Sequence, residues 1–462
     1  MTITESLQDR SMVYGQTKQT LLLFDDGHST TAMSSTHWST VSTWSKAGVG
    51  TCIVLELKDP PPPPPPPSSS SLEDAILHHH QTPTTKSSRT GPRIVFDVGA
   101  TPCFDDAIPA KYVFLSHGHI DHVGALFSHA RAHAMTCGGA GATYFVPAPL
   151  LPQVELCRDA MAVLDASTSR PPPDADGEEN KGGSRSKSLI DMKLVPVRAG
   201  DEMPLRGIKC GSKTSFFMRA FDVDHAGHPA LGYVIGSRTT AGLKEEYRML
   251  DGAQIRDLVK SSVSVMADPI ERIEVAYTGD TCARGLTKKR RGGDDNLDTT
   301  INEGGCKPPP FDIGQLFGAE LLFCELTYLD SAEDETRRYV ASERGHLHIN
   351  DIDGIFASHD TYRKGGGISP NVASQGDGEK PTSIVFYHLS AKYQPACHAL
   401  DLIVEGLPHQ LRGRCHVAIS SLLSQKEKKT VEDSINELIR PCGCISLAEY
   451  LQWKAALLPG RS

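Results

Sequence analysis

The chain has 462 residues, with 47 Lys and Arg against 56 Asp and Glu, a formal net charge of −9. That length holds two or three ordinary domains at most, and the acidic balance excludes binding of nucleic acid through bulk charge, so any such contact needs a local basic patch. The 12 cysteines form no dense short-range framework and read as reduced thiols, excluding a disulfide scaffold; no apolar stretch approaches the ~20 residues of a membrane span and residues 1–16 carry no secretory signal, which predicts a cytoplasmic or nuclear protein with no membrane partner.

Residues 1–44 are polar and poorly patterned, with Leu21 to Phe24 as a candidate edge strand. Gly48-Val49-Gly50 leads into Thr51 to Leu57, an apolar run that predicts a buried strand. Pro60 to Pro67, followed by Ser68 to Ser71, forms neither sheet nor helix and reads as a polyproline spacer. The triplet His78 to His80 inside this insertion reads as solvated loop. Arg93 to Gly99 resumes the core, so the excursion at 59–90 joins two adjacent strands. Such a detour is tolerated because loop closure grows slowly in cost with length.

Tyr112 to Leu115 predicts the next strand, and Ser116 ends it. His117, His119, Asp121 and His122 follow within six residues, and an apolar-periodic helix is predicted from Val123 to about Met135. Alternate residues of an extended loop project the same way, so His117 and His119 can share one cation, while Asp121 and His122 can serve a second. Imidazole and carboxylate donors in this pattern suit hydrolytic zinc chemistry. His129 and His133, four apart on the helix, read as surface histidines.

Farther along, Tyr144 to Pro147 predicts a strand and Leu151 to Leu164 a helix. The Pro- and Gly-rich insertion at 169–188 is predicted to be disordered. Met192 to Val197, Phe216 to Phe221 and Leu231 to Ile235 read as strands, with His225 and His228 between the last two. Leu243 to Val259 reads as a charged helix, and Ile273 to Tyr277 as a strand ending at Asp280. An insertion at 285–309 contains the basic tetrad Lys288 to Arg291, read as solvated loop. Glu320 to Leu326 predicts a buried strand, Gly345 to His348 opens a helix, and 365–380 is another insertion. Ser383 to Tyr387 is a strand ending at His388. The segment 426–462 reads as mainly helical, clearest at Val431 to Ile439. Cys442 and Cys444 form a lone C-x-C, read as ordinary thiols rather than a metal pair.

Strands alternate with helices, and the polar candidates sit at strand C-terminal ends. Both facts predict an α/β layered fold with its site at those ends. The candidate metal ligands are His117, His119, Asp121, His122, His225, Asp280 and His388. Seven donors suffice for two ions if Asp280 bridges them, and two ions about 3.5–4 Å apart can clamp the attacking and leaving oxygens of a phosphodiester. Asp121 would orient the attacking water as general base. The leaving oxygen needs a proton, which His346 or His348 could give, with Glu325 as the carboxylate that keeps the chosen one protonated. Chemistry alone does not choose between the two histidines.

These residues carry a resemblance. FDVG (Phe96 to Gly99), HGHIDH (His117 to His122), His225, YTGD (Tyr277 to Asp280) and His388 resemble the metallo-β-lactamase superfamily. HLSAKY (His388 to Tyr393), GHLH (Gly345 to His348), LKEEYRMLDGAQIRDLVKSSV (Leu243 to Val263) and SKAGVGTCIVLEL (Ser45 to Leu57) resemble ribonuclease Z, the tRNA 3′-processing endonuclease, in its short form. The resemblance runs from about Ser45 to Leu423. It implies an αββα sandwich with one catalytic domain over 45–425, two Zn2+ per subunit, homodimerisation, and cleavage of precursor tRNA after the discriminator base to leave a 3′-hydroxyl. It also implies that His117, His119 and His225 hold one zinc, that Asp121, His122 and His388 hold the other, and that Asp280 bridges. It selects His346 as proton donor and places Ser390, Lys392 and Tyr393 near the RNA phosphate. Lys392 stands where the family has Arg, which keeps the charge and loses bidentate binding. The segment after His225 is one residue longer than usual, so His228 is the alternative ligand. An RNA-gripping patch is expected within Ser237 to Val263, from Arg238, Lys244, Arg248, Arg256 and Lys260. The alternative function is another hydrolase of the superfamily, acting on phosphodiesters, lactones or aryl sulfates.

Overall fold

The computed structural model describes residues 33–58, 91–99, 104–138, 141–167, 190, 192–287, 312–330, 335–364, 382–423 and 435–457. The polyproline run, His78 to His80, the basic tetrad and the insertion at 365–380 lie outside them.

Two sheets face one another. The first has six strands in the order β1-β2-β3-β4-β5-β6: β1 (Trp38–Lys46), β2 (Gly50–Leu57), β3 (Arg93–Phe96), β4 (Ala110–Phe114), β5 (Thr143–Pro147) and β6 (Lys193–Val197). β1 through β3 pair antiparallel and β3 through β6 parallel. The second has eight strands in reversed order, β14 to β7: β7 (Glu202–Cys210), β8 (Thr214–Asp222), β9 (Leu231–Thr239), β10 (Ile270–Tyr277), β11 (Leu321–Glu325), β12 (Ser383–Tyr387), β13 (Cys415–Ala418) and β14 (Cys444–Ser446). Its centre, β10 to β13, is parallel.

Alternation along the strands separates the faces. On β4, Tyr112 and Phe114 point into the layer between the sheets, where Phe96, Phe145, Tyr233, Tyr277, Phe323 and Tyr387 also lie. Val113 and Leu115 point the other way, onto Leu126 and Ala130 of helix α1 (Leu126–Cys137). Phe96 stacks on Tyr277 at 4.7 Å and Tyr277 on Tyr387 at 5.2 Å, so aromatic rings bind the two sheets at the level of the candidate site. Helix α2 (Leu151–Ser167) follows β5. On the far face of the second sheet, Leu322, Ile384 and Phe386 pack with residues of α5 (Asp351–Lys364), α6 (Ala396–Gly406) and α7 (Leu447–Leu457), among them Ile352, Ile355, Leu400, Ile403 and Trp453. Each sheet therefore has helices outside and its partner sheet inside, the predicted αββα sandwich.

Several elements differ from the sequence reading. The helix expected from Val123 splits into a helical turn, Ile120–Val123, and α1, because the chain bends at Gly124-Ala125. The segment Leu243 to Val259 is broken into a short 3-10 turn, Glu245–Tyr247, and α3 (Gly252–Lys260), which Asp251 starts by accepting from Ala253 N and Gln254 N. Gly345 to His348 forms a loop between α4 (Glu335–Glu343) and α5. β14 occupies part of the region read as helical, and only Ile435 and Asn436 are helical in the described part of Val431 to Ile439. His129 and His133 are buried, not surface residues. His129 lies between the Tyr144 hydroxyl and Ala107 O, both at 2.8 Å, and His133 Nδ1 contacts Ile108 O at 2.7 Å.

The two ends of the described chain meet. Thr43 N donates to Cys442 O at 2.7 Å, Ser420 Oγ to Thr43 O, and Ser421 Oγ to Ser45 O. Ser45 Oγ accepts from His388 N at 3.1 Å. β1 is thus sewn to the loops around β13, β14 and the candidate site. Nearby, Glu274, fully buried on β10, accepts from Ser35 Oγ and His37 N at 3.0 Å and faces the His37 ring. Among the described residues no helix is long and apolar enough to cross a membrane.

Candidate metal centre

The seven donor residues converge from both sheets. β4 delivers the loop His117 to His122. His119 is extended (φ −67°, ψ 147°), while Asp121 and His122 lie on the helical turn that follows. His225 comes from the connection after β8, Asp280 follows β10, and His388 ends β12 with φ +67°. The donor atoms of His117, His119 and His225 lie within 4.8 Å of one another, as do those of Asp121, His122 and His388, and of His117, His122 and Asp280. His228, the alternative to His225, is exposed, with its ring 4.7 Å from that of His119, whereas His225 is buried.

The donor set fits a cation. His122 Nε2 and His388 Nε2 face each other at 3.3 Å, and His225 Nε2 faces His119 Nδ1 at 3.2 Å. His117 Nε2 and Asp280 Oδ1 are buried without a hydrogen-bond partner. Ring nitrogens facing one another at this distance must share a proton or an ion, and orphaned polar atoms in a buried cluster are costly unless an ion satisfies them. The distal ring nitrogens are held from behind. His225 Nδ1 is 2.9 Å from Gly345 O, His117 Nδ1 is 3.0 Å from Ser116 Oγ, and His122 Nδ1 is 2.7 Å from Asp97 Oδ2. Fixing one ring nitrogen this way sets the tautomer and aims the other.

Asp97 is the residue that sequence reasoning passed over, although it stands in FDVG. Its carboxylate is buried and also accepts from Ser116 N and Ser116 Oγ, each at 2.7 Å, and from the Tyr277 hydroxyl. It ties the ligand loop to β10. Burial opposes a charge on His122, but Asp280 and Asp97 outweigh it and push that imidazole well above its usual range. Burial also disfavours the Asp280 carboxylate, yet His122 and His388 hold it well below its ordinary value. Without a cation the cluster therefore keeps protons that a metal would displace. Burial pulls His225 down to about 4, which keeps that ring neutral and its lone pair available. Asp121 is held low by His388 and His122 against its burial, and Gly48 N donates to its Oδ2 at 2.8 Å.

Beside the cluster, His346 Nδ1 lies 3.2 Å from Glu325 Oε1, which also accepts from Leu347 N at 2.8 Å. Burial works against the His346 charge, but Glu325 prevails and raises it. His348 is turned away; its Nδ1 accepts from Asn350 N at 3.2 Å. Ser390 caps the 3-10 turn Ala391–Tyr393. Lys392 Nζ pairs with Asp330 at 2.8 Å, and the buried Tyr393 donates its hydroxyl to the same carboxylate at 3.0 Å. Arg238, read as a phosphate contact, is instead committed to Glu202 and Glu271. Arg248 and Lys260 are well exposed, each beside an acidic neighbour three residues away.

An αββα sandwich with a His/Asp cluster at the strand ends between its sheets is the architecture that the resemblance to the metallo-β-lactamase superfamily implies. No protein-family model matches the chain. Over 322 residues it is 27% identical to tRNase Z TRZ1 of Arabidopsis thaliana, covering 70% of this chain and 86% of that protein. Over 260 residues it is 25% identical to the chloroplastic tRNase Z TRZ2 of the same plant, covering 56% and 57%. Among solved structures, human tRNase Z, short form, aligns with TM-score 0.35 and 12% identity over 77% of this chain and 93% of that one.

Proposed function

We propose that this chain is a zinc-dependent endoribonuclease that removes 3′ trailers from precursor tRNA, cleaving after the discriminator base to leave a 3′-hydroxyl. The observation that carries the reading is His346, its Nδ1 3.2 Å from the Glu325 carboxylate that raises it against burial, at the edge of the donor cluster. Hydrolysis of a phosphodiester needs both an activated water and a proton for the leaving oxygen. The similarity to proteins named tRNase Z supports RNA as the ester.

Two Zn2+ would be held by His117, His119 and His225 on one side and by Asp121, His122 and His388 on the other, with Asp280 between. When bound they polarise the phosphate and lower the pKa of water. Asp121 orients the attacking water and takes its proton. His346 gives a proton to the leaving oxygen, and the Glu325 carboxylate aims the ring and favours its charged form. Ser390, Lys392 and Tyr393 sit beyond His388, with Lys392 trading Asp330 for RNA phosphate. Arg248, Arg256 and Lys260, on and before α3, supply backbone contacts farther out. The chain works as a homodimer in the cytoplasm or nucleus. Exposed Leu156, Val163 and Leu164 on α2 give an apolar face for a second copy.

Incubation with a 3′-extended precursor tRNA, followed by mapping of the product end, tests the reading. Cleavage after the discriminator base is expected, abolished by Asp121→Ala, and severely slowed by His346→Ala with zinc content unchanged. Intact precursor alongside turnover of a lactone or aryl sulfate would replace it with the ester-hydrolase alternative.

A further inference from the structure

Thr327 stands where the metal cluster and the proton donor come together. The residue is buried. Its Oγ1 is 3.0 Å from His388 Nδ1, 3.0 Å from Glu325 Oε2 and 3.3 Å from His346 Nδ1. A hydroxyl has one hydrogen and two lone pairs. An ionised carboxylate only accepts, so the Thr327 hydrogen goes to Glu325. The hydroxyl oxygen is then an acceptor toward His388, whose Nδ1 must carry the ring hydrogen. In the neutral ring that a metal requires, that leaves His388 Nε2 bare. The bare nitrogen faces Asp280 Oδ2 at 3.3 Å and Asp121 Oδ2 at 3.4 Å, inside the donor cluster.

We infer that Thr327 is a positioning residue that fixes the tautomer of His388 and, through Glu325, joins that ligand to the proton donor His346. Glu325 spends one oxygen on each arm: Oε1 on His346 and Leu347 N, Oε2 on the Thr327 hydroxyl. The carboxylate therefore aims the proton donor directly and the metal ligand through one hydroxyl. His388 needs such help more than the other histidines, because it sits at φ +67°, a backbone region that non-glycine residues rarely adopt. Its other fixed point is the bond from its own N to Ser45 Oγ. The inference rests on the proposed reaction for the role of His346, and on geometry alone for His388.

Thr327→Val removes the hydroxyl and keeps the shape, Thr327→Ser keeps the hydroxyl, and Thr327→Ala serves if the valine variant does not fold. Competition with a chromophoric chelator should show one zinc equivalent bound about 10–100-fold more weakly in Thr327→Val or Thr327→Ala, with recovery in Thr327→Ser. In 15N-histidine spectra of the zinc-loaded protein, one ring should lose its protected Nδ1–H signal in the valine variant and regain it in the serine variant. Precursor cleavage should fall in kcat with KM little changed. Two equivalents bound at wild-type affinity in Thr327→Val and Thr327→Ala, or an equal loss in Thr327→Ser, would overturn the inference. The zinc and tautomer measurements use no RNA. Their success with uncleaved precursor would sink the nuclease reading alone, and their failure with normal cleavage would sink this inference alone.

Discussion

Asp97→Asn is the sharpest test of how the centre is held. Oδ1 accepts from Ser116 N, while Oδ2 accepts from Ser116 Oγ, His122 Nδ1 and the Tyr277 hydroxyl. An amide offers one oxygen. If that oxygen takes the Oδ2 side, the amide hydrogens face Ser116 N–H and one buried donor is stranded. If it takes the Oδ1 side, His122 must accept rather than donate at Nδ1, and its hydrogen moves to Nε2, where the metal should bind. Stranding a donor costs roughly 1–3 kcal/mol, and the bonds that remain lose their charge assistance, so the zinc-free protein should lose roughly 3–5 kcal/mol. Zinc binding should weaken by about 10–100-fold. Urea unfolding of the metal-free protein reads the first quantity, and chelator competition reads the second. Equal urea midpoints and equal zinc affinity in wild type and Asp97→Asn would refute the reasoning.

Three other outcomes follow from particular contacts. Gly345 has φ +74°, and a Cβ there would lie 2.6 Å from His225 Cα and Nδ1, so Gly345→Ala should push His225 off its carbonyl partner and lose one zinc equivalent on dialysis; retention of two would count against it. His129 is held at about 4 by burial, below its unfolded value of about 6.5, so its contribution is full above 6.5 and is lost as pH falls toward 4, by roughly 3 kcal/mol. His129→Gln should therefore show a shallower acid slope in urea midpoints between pH 7 and 4.5, and an unchanged slope would refute this. Glu274→Gln weakens the clasp on Ser35 and His37 and should speed proteolysis near residue 33 while leaving zinc content unchanged; wild-type cleavage rates would argue that the clasp is idle.

The donors were legible in the sequence because each follows a short apolar strand, and strand C-terminal ends are where an α/β sheet gathers polar side chains. The alternation of strands and helices was legible in the same way, whereas the pairing of two sheets in an αββα sandwich came from the resemblance. β7 was not, since Pro204 and Gly207 break its alternation; an edge strand with a bulge tolerates both. β14 has three residues and is held by pairing with β13 rather than by its own pattern. His129 and His133 carry a helical spacing that says nothing of the carbonyls waiting at Ala107 and Ile108. Asp97 was visible in FDVG, but its four donors come from the ligand loop and from Tyr277, 180 residues away, so its work could not be read from spacing.

The seam between β1 and the loops around β14 has a consequence for biosynthesis. Ser421 closes on Ser45 across 376 residues. At roughly 5–20 residues per second on the ribosome, the first strand emerges roughly 20–75 s before its last partners. During that interval the outer edge of β1 presents unpaired backbone groups, the kind of edge that recruits other chains. The nascent protein thus has a long window in which a chaperone is useful, and its metal ligands, spread from β4 to β12, reach one another only late in that window.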